Sequence, residues 1–328
     1  MLITATTVEH AIPPQAGRRA FIDRLRDGDE IAHVITLVFA AGILLLTSLL
    51  VYELWINSRL SRAKFGWHFI WTRVWDPVFG NFGAAPFIYG TLVTSVVSLV
   101  IAVPLGLLAA IFLAELAPRS ISDSIAFLID LLAAVPSVIY GLLGIFVVVP
   151  LMRTEIGPAL KNTLGFLPIF KGPNYGVGFL TAGIILAIMV VPFIISVSRE
   201  VLLTVPREQR EAALALGATR WESTWQVVVP WARTGIMGSI FLALARALGE
   251  TMAVTMVIGN DPKIVASLFA PGYTIAAVIA NEFTEATSDL HLSALIELGL
   301  VLFLMTFILN GFARILIVAT DRGGGHAS

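Results

Sequence analysis

The chain has 328 residues, 57% of them hydrophobic and 13% charged, with a net charge of −1, a mean hydropathy of +0.89 and no cysteine. That composition is too apolar for a water-soluble surface to cover. The missing cysteines exclude disulfides, iron–sulfur clusters and thiol chemistry, no histidine pair has ligand spacing on one helix, and the balanced charge offers no basic patch for nucleic acid. A membrane domain with no resident metal or cofactor is the expectation that remains.

The first residues are polar and carry Gly17-Arg18-Arg19-Ala20-Phe21, which faintly resembles a twin-arginine export signal. Four acidic residues follow between Asp23 and Glu30, and the next apolar run is too long for a cleavable signal, so it reads as a retained helix behind a polar tail over 1–33. Crossing a hydrocarbon core of about 30 Å takes roughly 20 apolar residues. Six runs of that size occur, at 34–56, 88–113, 125–152, 177–198, 235–259 and 294–320. The prediction is an all-α membrane protein with six transmembrane helices over 34–328, because helices satisfy their own backbone in lipid and barrel strands would alternate over shorter stretches. Pro104, Pro136 and Pro192 fall inside three runs, where they can kink a packed helix.

An inside N-terminus places 12 Lys and Arg residues inside and 8 outside, with Arg246 left within a span. The loop over 199–233 carries five of the inside arginines, at 199, 207, 210, 220 and 233. Of the outside segments, 57–87 holds Trp67, Trp71 and Trp75 at four-residue spacing, and 153–176 is rich in Gly and Pro. The spacing predicts three indoles on one face of an interfacial helix, for membrane anchoring or for docking a partner. Thr91, Thr94, Ser95 and Ser98 form a polar stripe in the second run that either lines a path or lets helices approach closely. Asp130 and Glu297, near the starts of the third and sixth runs, are second-rank pathway candidates.

The loop over 199–233 is patterned as two short helices. Pro206 can open the first, Glu208 and Glu211 sit in its early turns, the Ala-rich run to Leu216 is strongly helix-forming, and Gly217 supplies a stop. A second helix is expected from about Thr219 to just before Pro230. In the fifth run, Arg246 and Glu250 stand four apart, on one face of a continuous helix, where they can pair or face a polar cavity. Arginine's planar donor fork also suits an oxyanion.

Glu211-Ala212-Ala213, then Gly217, Val227, Val229 and Pro230, resembles the EAA loop of ABC importer permeases, with valines in place of the usual Ile and Leu. Arg246-Ala247-Leu248-Gly249-Glu250-Thr251-Met252-Ala253-Val254 is similar to the signature of PstC-type phosphate permeases. The stretches 86–95 and 131–141, Ile258-Gly259-Asn260, Ala280-Asn281-Glu282-Phe283 and Leu298-Gly299-Leu300 agree with it. The resemblance covers nearly everything after the first span. It implies a type I importer permease fold in which Glu211, Ala212, Ala213, Gly217 and Pro230 couple to an ATPase and Arg246, Glu250 and Thr251 line a phosphate path. It also implies a PstA-type permease partner, a PstB-type ATPase dimer and a PstS-type phosphate-binding protein. The chain has no G-x-x-x-x-G-K-[ST] sequence, so another subunit must hydrolyse ATP. Two rivals are a permease for another oxyanion, which the 246–254 run argues against, and a gradient-driven secondary transporter, which leaves the EAA-like loop unexplained.

Overall fold

The computed structural model describes residues 29–324, and side chains over 32–317. The twin-arginine-like stretch and most of the polar tail lie outside the described residues. Six helices among the described residues are long and apolar enough to cross a membrane. Two compact units are distinguished, Met1–Glu53 and Leu54–Ser328.

In the first unit the described chain is one helix, α1 (Asp29–Asn57), which runs on into the second unit. Its few hydroxyls turn inward along the helix: Thr36, Thr47 and Ser48 donate to the carbonyls of Ala32, Ile43 and Leu44, one turn back. Polar side chains so satisfied cost little in an apolar helix.

In the second unit two short helices, α2 (Arg59–Phe65) and α3 (His68–Trp71), precede α4 (Ala85–Leu116). The three tryptophans therefore share no helix face. Trp67 and Trp71 are about 80% exposed (81% and 79%), whereas Trp75 lies beyond α3 and packs edge-on against Phe82 and Phe87. α3 ends at Trp71 and Thr72 is extended, so the helix stops inside the spacing that one face would need.

The third run does not form one span. The chain leaves the helix at Ala133, passes through Pro136 in extended conformation, and re-enters at Ser137, giving α5 (Arg119–Ala133) and the spanning α6 (Ser137–Leu164). Proline disfavours a helical residue before it and donates no N–H, so it starts α6 rather than kinking the expected 125–152 helix. The helix then continues well into 153–176, expected as an outside loop.

Elsewhere prolines are absorbed rather than obeyed. Wide π-helical turns at Phe112–Leu116, Gly144–Val148, Met152–Ile156 and Thr224–Val228 each end two residues before a proline, at 118, 150, 158 and 230. The carbonyl that would meet each proline ring lies four residues back, inside the widened turn, so the clash is relieved where the helix goes on.

The fourth span, α7 (Phe179–Leu203), is the most buried and packs along α4. Gly106 on α4 faces Ile194, Gly183 on α7 faces Val97, and Thr91, Thr94, Ser95 and Ser98 are all buried. Thr91 Oγ1 donates to Phe87 O and accepts from Ile275 N, so this part of the stripe joins helices. After α7 come α8 (Arg207–Ala215), the long α9 (Arg220–Leu248), short α10 (Met252–Val257) and α11 (Ile275–Glu282), and α12 (Asp289–Gly324). Between α10 and α11 the irregular chain is held by α7: Gly178, Phe179 and Leu180 donate their N–H groups to Val257, Ala270 and Leu268. Non-helical backbone is tolerated at membrane depth when protein satisfies it in this way.

A Cβ added at Gly106 would sit 2.8 Å from Ile194 Cγ2. Gly106→Val is expected to cost about 1–3 kcal/mol by overpacking, seen as a lowered midpoint in thermal unfolding of the detergent-solubilised protein; an unchanged midpoint would mean that the α4–α7 contact is not close-packed.

Candidate functional site

The 246–254 segment lies at a helix break. α9 ends at Leu248, residues 249–251 are non-helical, and α10 begins at Met252. Arg246 and Glu250 are therefore not on one continuous helical face, and no ion pair joins them. Glu250 turns instead to the next helix, where its Oε1 accepts from Ala253 N at 3.3 Å. Thr251 donates to Gly249 O, and its own carbonyl accepts from both N and Oγ1 of Thr255. A carboxylate and a threonine compete with helical backbone bonding at the position where α10 must start, which explains the interruption.

Arg246 is exposed in the last turn of α9, with no carboxylate of the described residues within ion-pair distance. Its electrostatic reach extends to Tyr140 on α6, whose hydroxyl donates to Leu132 O at 2.7 Å. α6 comes this close through two glycines. Gly141 abuts Ala253 and Met256, and Gly144 abuts Val257 and Ile185. The 131–141 and 246–254 stretches, far apart in the chain, are thus packed together. An exposed guanidinium at the end of an apolar helix is tolerable only against water or a polar partner surface.

The 280–283 stretch does different work. Asn281 donates to the Tyr273 hydroxyl at 3.0 Å, and Glu282 Oε2 accepts from Trp75 Nε1 at 2.8 Å and lies 3.1 Å from His291 Nε2. Burial pushes the Tyr273 phenol up to about 12, so it stays a neutral hydrogen-bonding group. These contacts pin the segment between α10 and α12 to the chain preceding α4.

The EAA-like loop is built as two helices meeting at a tight corner. Gly217 has φ +89, and Leu216, Gly217 and Ala218 donate back to Ala212, Leu214 and Ala213, closing the end of α8. Thr219 and Glu222 form a reciprocal capping box that starts α9. α9 does not stop before Pro230: the π turn at Thr224–Val228 carries it through, so the second coupling helix and the fifth span are one rod. Glu211, Ala212 and Pro230 are exposed and Ala213 is half-buried.

Two features of this loop have no signal in the sequence. Arg210 grips Glu115 with Nε 3.1 Å from Oε2 and Nη2 2.7 Å from Oε1, and Nη2 also donates to Leu202 O at 2.8 Å. Its Nη1 donates to Val205 O. One guanidinium thus ties α8 to the ends of α4 and α7. Beyond it, Leu216 is 91% exposed and Trp221 stacks edge-on with Trp225, an apolar tip at the corner of the loop. The partner of Arg210 lies 95 residues away, and Leu216 and Trp221 look like ordinary apolar residues in a one-dimensional pattern.

The second-rank candidates lie apart from one another. Asp130, on α5, accepts from Ser196 Oγ at 2.8 Å. Glu297, on α12, lines a cavity with Arg62 and Trp55.

A family profile described as "Binding-protein-dependent transport system inner membrane component" matches residues 102–321. The phosphate transport system permease protein PstC of Mesorhizobium japonicum is 45% identical over 98% of this chain and 99% of its own length. The corresponding protein of Pasteurella multocida is 46% identical over 90% of this chain and 95% of its own length. Among solved structures, a bacterial ABC transporter importing the acidic polysaccharide alginate aligns at TM-score 0.54 and 17% identity, over 90% of this chain and 98% of the other. The inward-facing MetNI methionine ABC transporter aligns at TM-score 0.52 and 16% identity, over 71% and 94%. At such identities the two structures speak for the fold alone.

Removing one member of the Arg210–Glu115 pair leaves a largely enclosed charge unpaired. Arg210→Met or Glu115→Met is expected to cost roughly 1–3 kcal/mol, with the double variant less destabilised than the sum of the two. Thermal unfolding of all four proteins checks this, and strict additivity would rule out the clamp.

Proposed function

The chain belongs to the binding-protein-dependent transport system inner membrane components and, within them, to the PstC-type permeases, and we propose that it carries inorganic phosphate past Arg246 by alternating access. It is a multi-pass membrane permease subunit of an ABC importer, a transport component and not an enzyme. The observation that carries the phosphate path is Arg246 itself: a cation without a carboxylate partner among the described residues, at a helix break in an apolar bundle, backed by close-packed α6 and α10. A planar donor fork in that position can meet an oxyanion transiently without trapping it. Glu250 and Thr251 shape the break, and the exposed side of Arg246 faces a second permease, of the PstA type, across the path.

The N-terminus is cytoplasmic, which puts the five arginines of 199–233 inside and turns the EAA-like loop towards a PstB-type ATPase dimer. Leu216 and Trp221 supply the apolar anchor of that contact, since exposed tryptophans at a rigid corner make good interface centres. A PstS-type binding protein delivers phosphate outside. ATP binding closes the ATPase dimer, the loop moves with it, and Arg210 passes the motion to α4 and α7 while α9 passes it along its own axis to residue 246. Hydrolysis resets the assembly.

The test is uptake of labelled phosphate, with sulfate as control, by vesicles holding the full assembly with ATP and loaded binding protein. Arg246→Gln is expected to lower phosphate uptake by roughly a hundredfold, as for loss of a charged transition-state contact, while the complex still assembles. Persistence of uptake in that variant, uptake without ATP, or movement of sulfate alone would each overturn the reading. Trp221→Ala is expected to weaken ATPase co-purification by about tenfold or more and to leave docking of the loaded binding protein untouched; full co-purification would displace Trp221 from the contact.

A further inference from the structure

At the end of α1 a cavity of about 280 Å³ opens between α2, α3 and α12. Its walls are apolar: Trp67, Ile70, Leu300, Val301 and Leu304. Two ionisable residues also line it, Arg62 and Glu297, and they are not paired with each other. Arg62 is locked in place from behind, with Nε donating to Ser58 Oγ at 3.0 Å, Nη2 donating to Trp55 O, and its guanidinium stacked 3.6 Å from the Trp55 ring centroid. Among the described residues Nη1 makes no hydrogen bond. Glu297 is only 6% exposed, and its Oε2 is fully enclosed with no hydrogen-bond partner. The Ser61 hydroxyl and the Arg62 charge both act on its carboxyl, while Oε2 itself has no hydrogen-bond partner among the described residues.

A buried acid with one oxygen unpartnered, lining an apolar cavity beside a cation, is a foothold for a polar ligand, because buried polar groups are otherwise hydrogen-bonded. The geometry points to a phospholipid with an ethanolamine headgroup, its ammonium on Glu297, its phosphate on Arg62 and the start of one chain along Val301 and Leu304. Charge complementarity selects this headgroup. Glycerol brings no cation, choline brings a cation without N–H donors, and serine adds a carboxylate that Glu297 would repel. The volume lies just below the usual range for small-ligand sites, roughly 300–1,000 Å³, which suits a headgroup and the top of a chain while the rest stays in the bilayer. Trp67, 81% exposed, stands at the rim where interfacial indoles favour headgroups. This site lies apart from Arg246 and holds whatever the transported ion is.

The test uses the full assembly, purified in mild detergent, washed, and exposed to an equimolar mixture of ethanolamine, choline and glycerol phospholipids with identical chains, without phosphate or ATP. Mass spectrometry of the retained lipid is expected to show the ethanolamine species about tenfold enriched over the other two. Glu297→Gln should abolish the preference among headgroups, and Val301→Trp, which fills the cavity, should remove the retained lipid, with subunit assembly and thermal midpoint followed in both. Equal retention of the three lipids by the unmodified protein overturns the proposal even if no variant folds. So does unchanged retention in a folded Val301→Trp protein, or cross-linking of a photoreactive residue at position 301 to a polypeptide. Transport is not read in this experiment, so its failure and that of the phosphate assignment are separate outcomes.

Discussion

Hydrocarbon donates and accepts no hydrogen bonds, so every backbone group and every charge in a spanning segment must be met by protein or by a polar cavity. The helices obey that constraint through their own bonding, and where helices cannot continue the chain pairs with a neighbour. The stretch from α10 to α11 survives in irregular form because the start of α7 supplies three N–H donors to its carbonyls. Prolines are handled under the same rule. Where the helix must go on, as at Pro150, Pro158 and Pro230, a wide turn absorbs the lost bond; at Pro136 the chain is released into a new helix.

Small residues turn this set of helices into a close-packed body. Gly106 and Gly183 seat α4 on α7, and Gly141 and Gly144 seat α6 on α10. Such contacts make the region around Arg246 stiff, because a packed core has discrete arrangements and does not deform continuously. The guanidinium of Arg246 is exposed on that stiff support and is positioned by packing, with no ion pair among the described residues to hold it.

The coupling loop joins the same body at two points. α9 carries it directly, as one rod from the capping box at Thr219 to Leu248. Arg210 carries it laterally, through Glu115 and the carbonyls of Leu202 and Val205, to the ends of two further spans. The corner that carries Leu216 and Trp221 is therefore joined to α4, α7 and α9.

The sequence by itself determined the class, the number of spans, the EAA-like loop and the residues that stand out within the spans, since those rest on composition, run length and local spacing. It misplaced what depends on competition between local and tertiary bonding. The 125–152 and 235–259 runs are mostly apolar, and nothing in their periodicity tells that Pro136 starts a new helix or that Glu250 turns to Ala253 at the start of α10 in preference to extending α9. The even spacing of Trp67, Trp71 and Trp75 suggests one face, but α3 ends at Trp71 and Trp75 is drawn under the packing of Phe82 and Phe87. Only the tertiary structure decided that Arg210 meets Glu115, that Arg246 and Glu250 part, and that Glu297 faces a cavity with Arg62. Each is a contact, or a missing contact, between residues whose separation in space is set by the packing of helices.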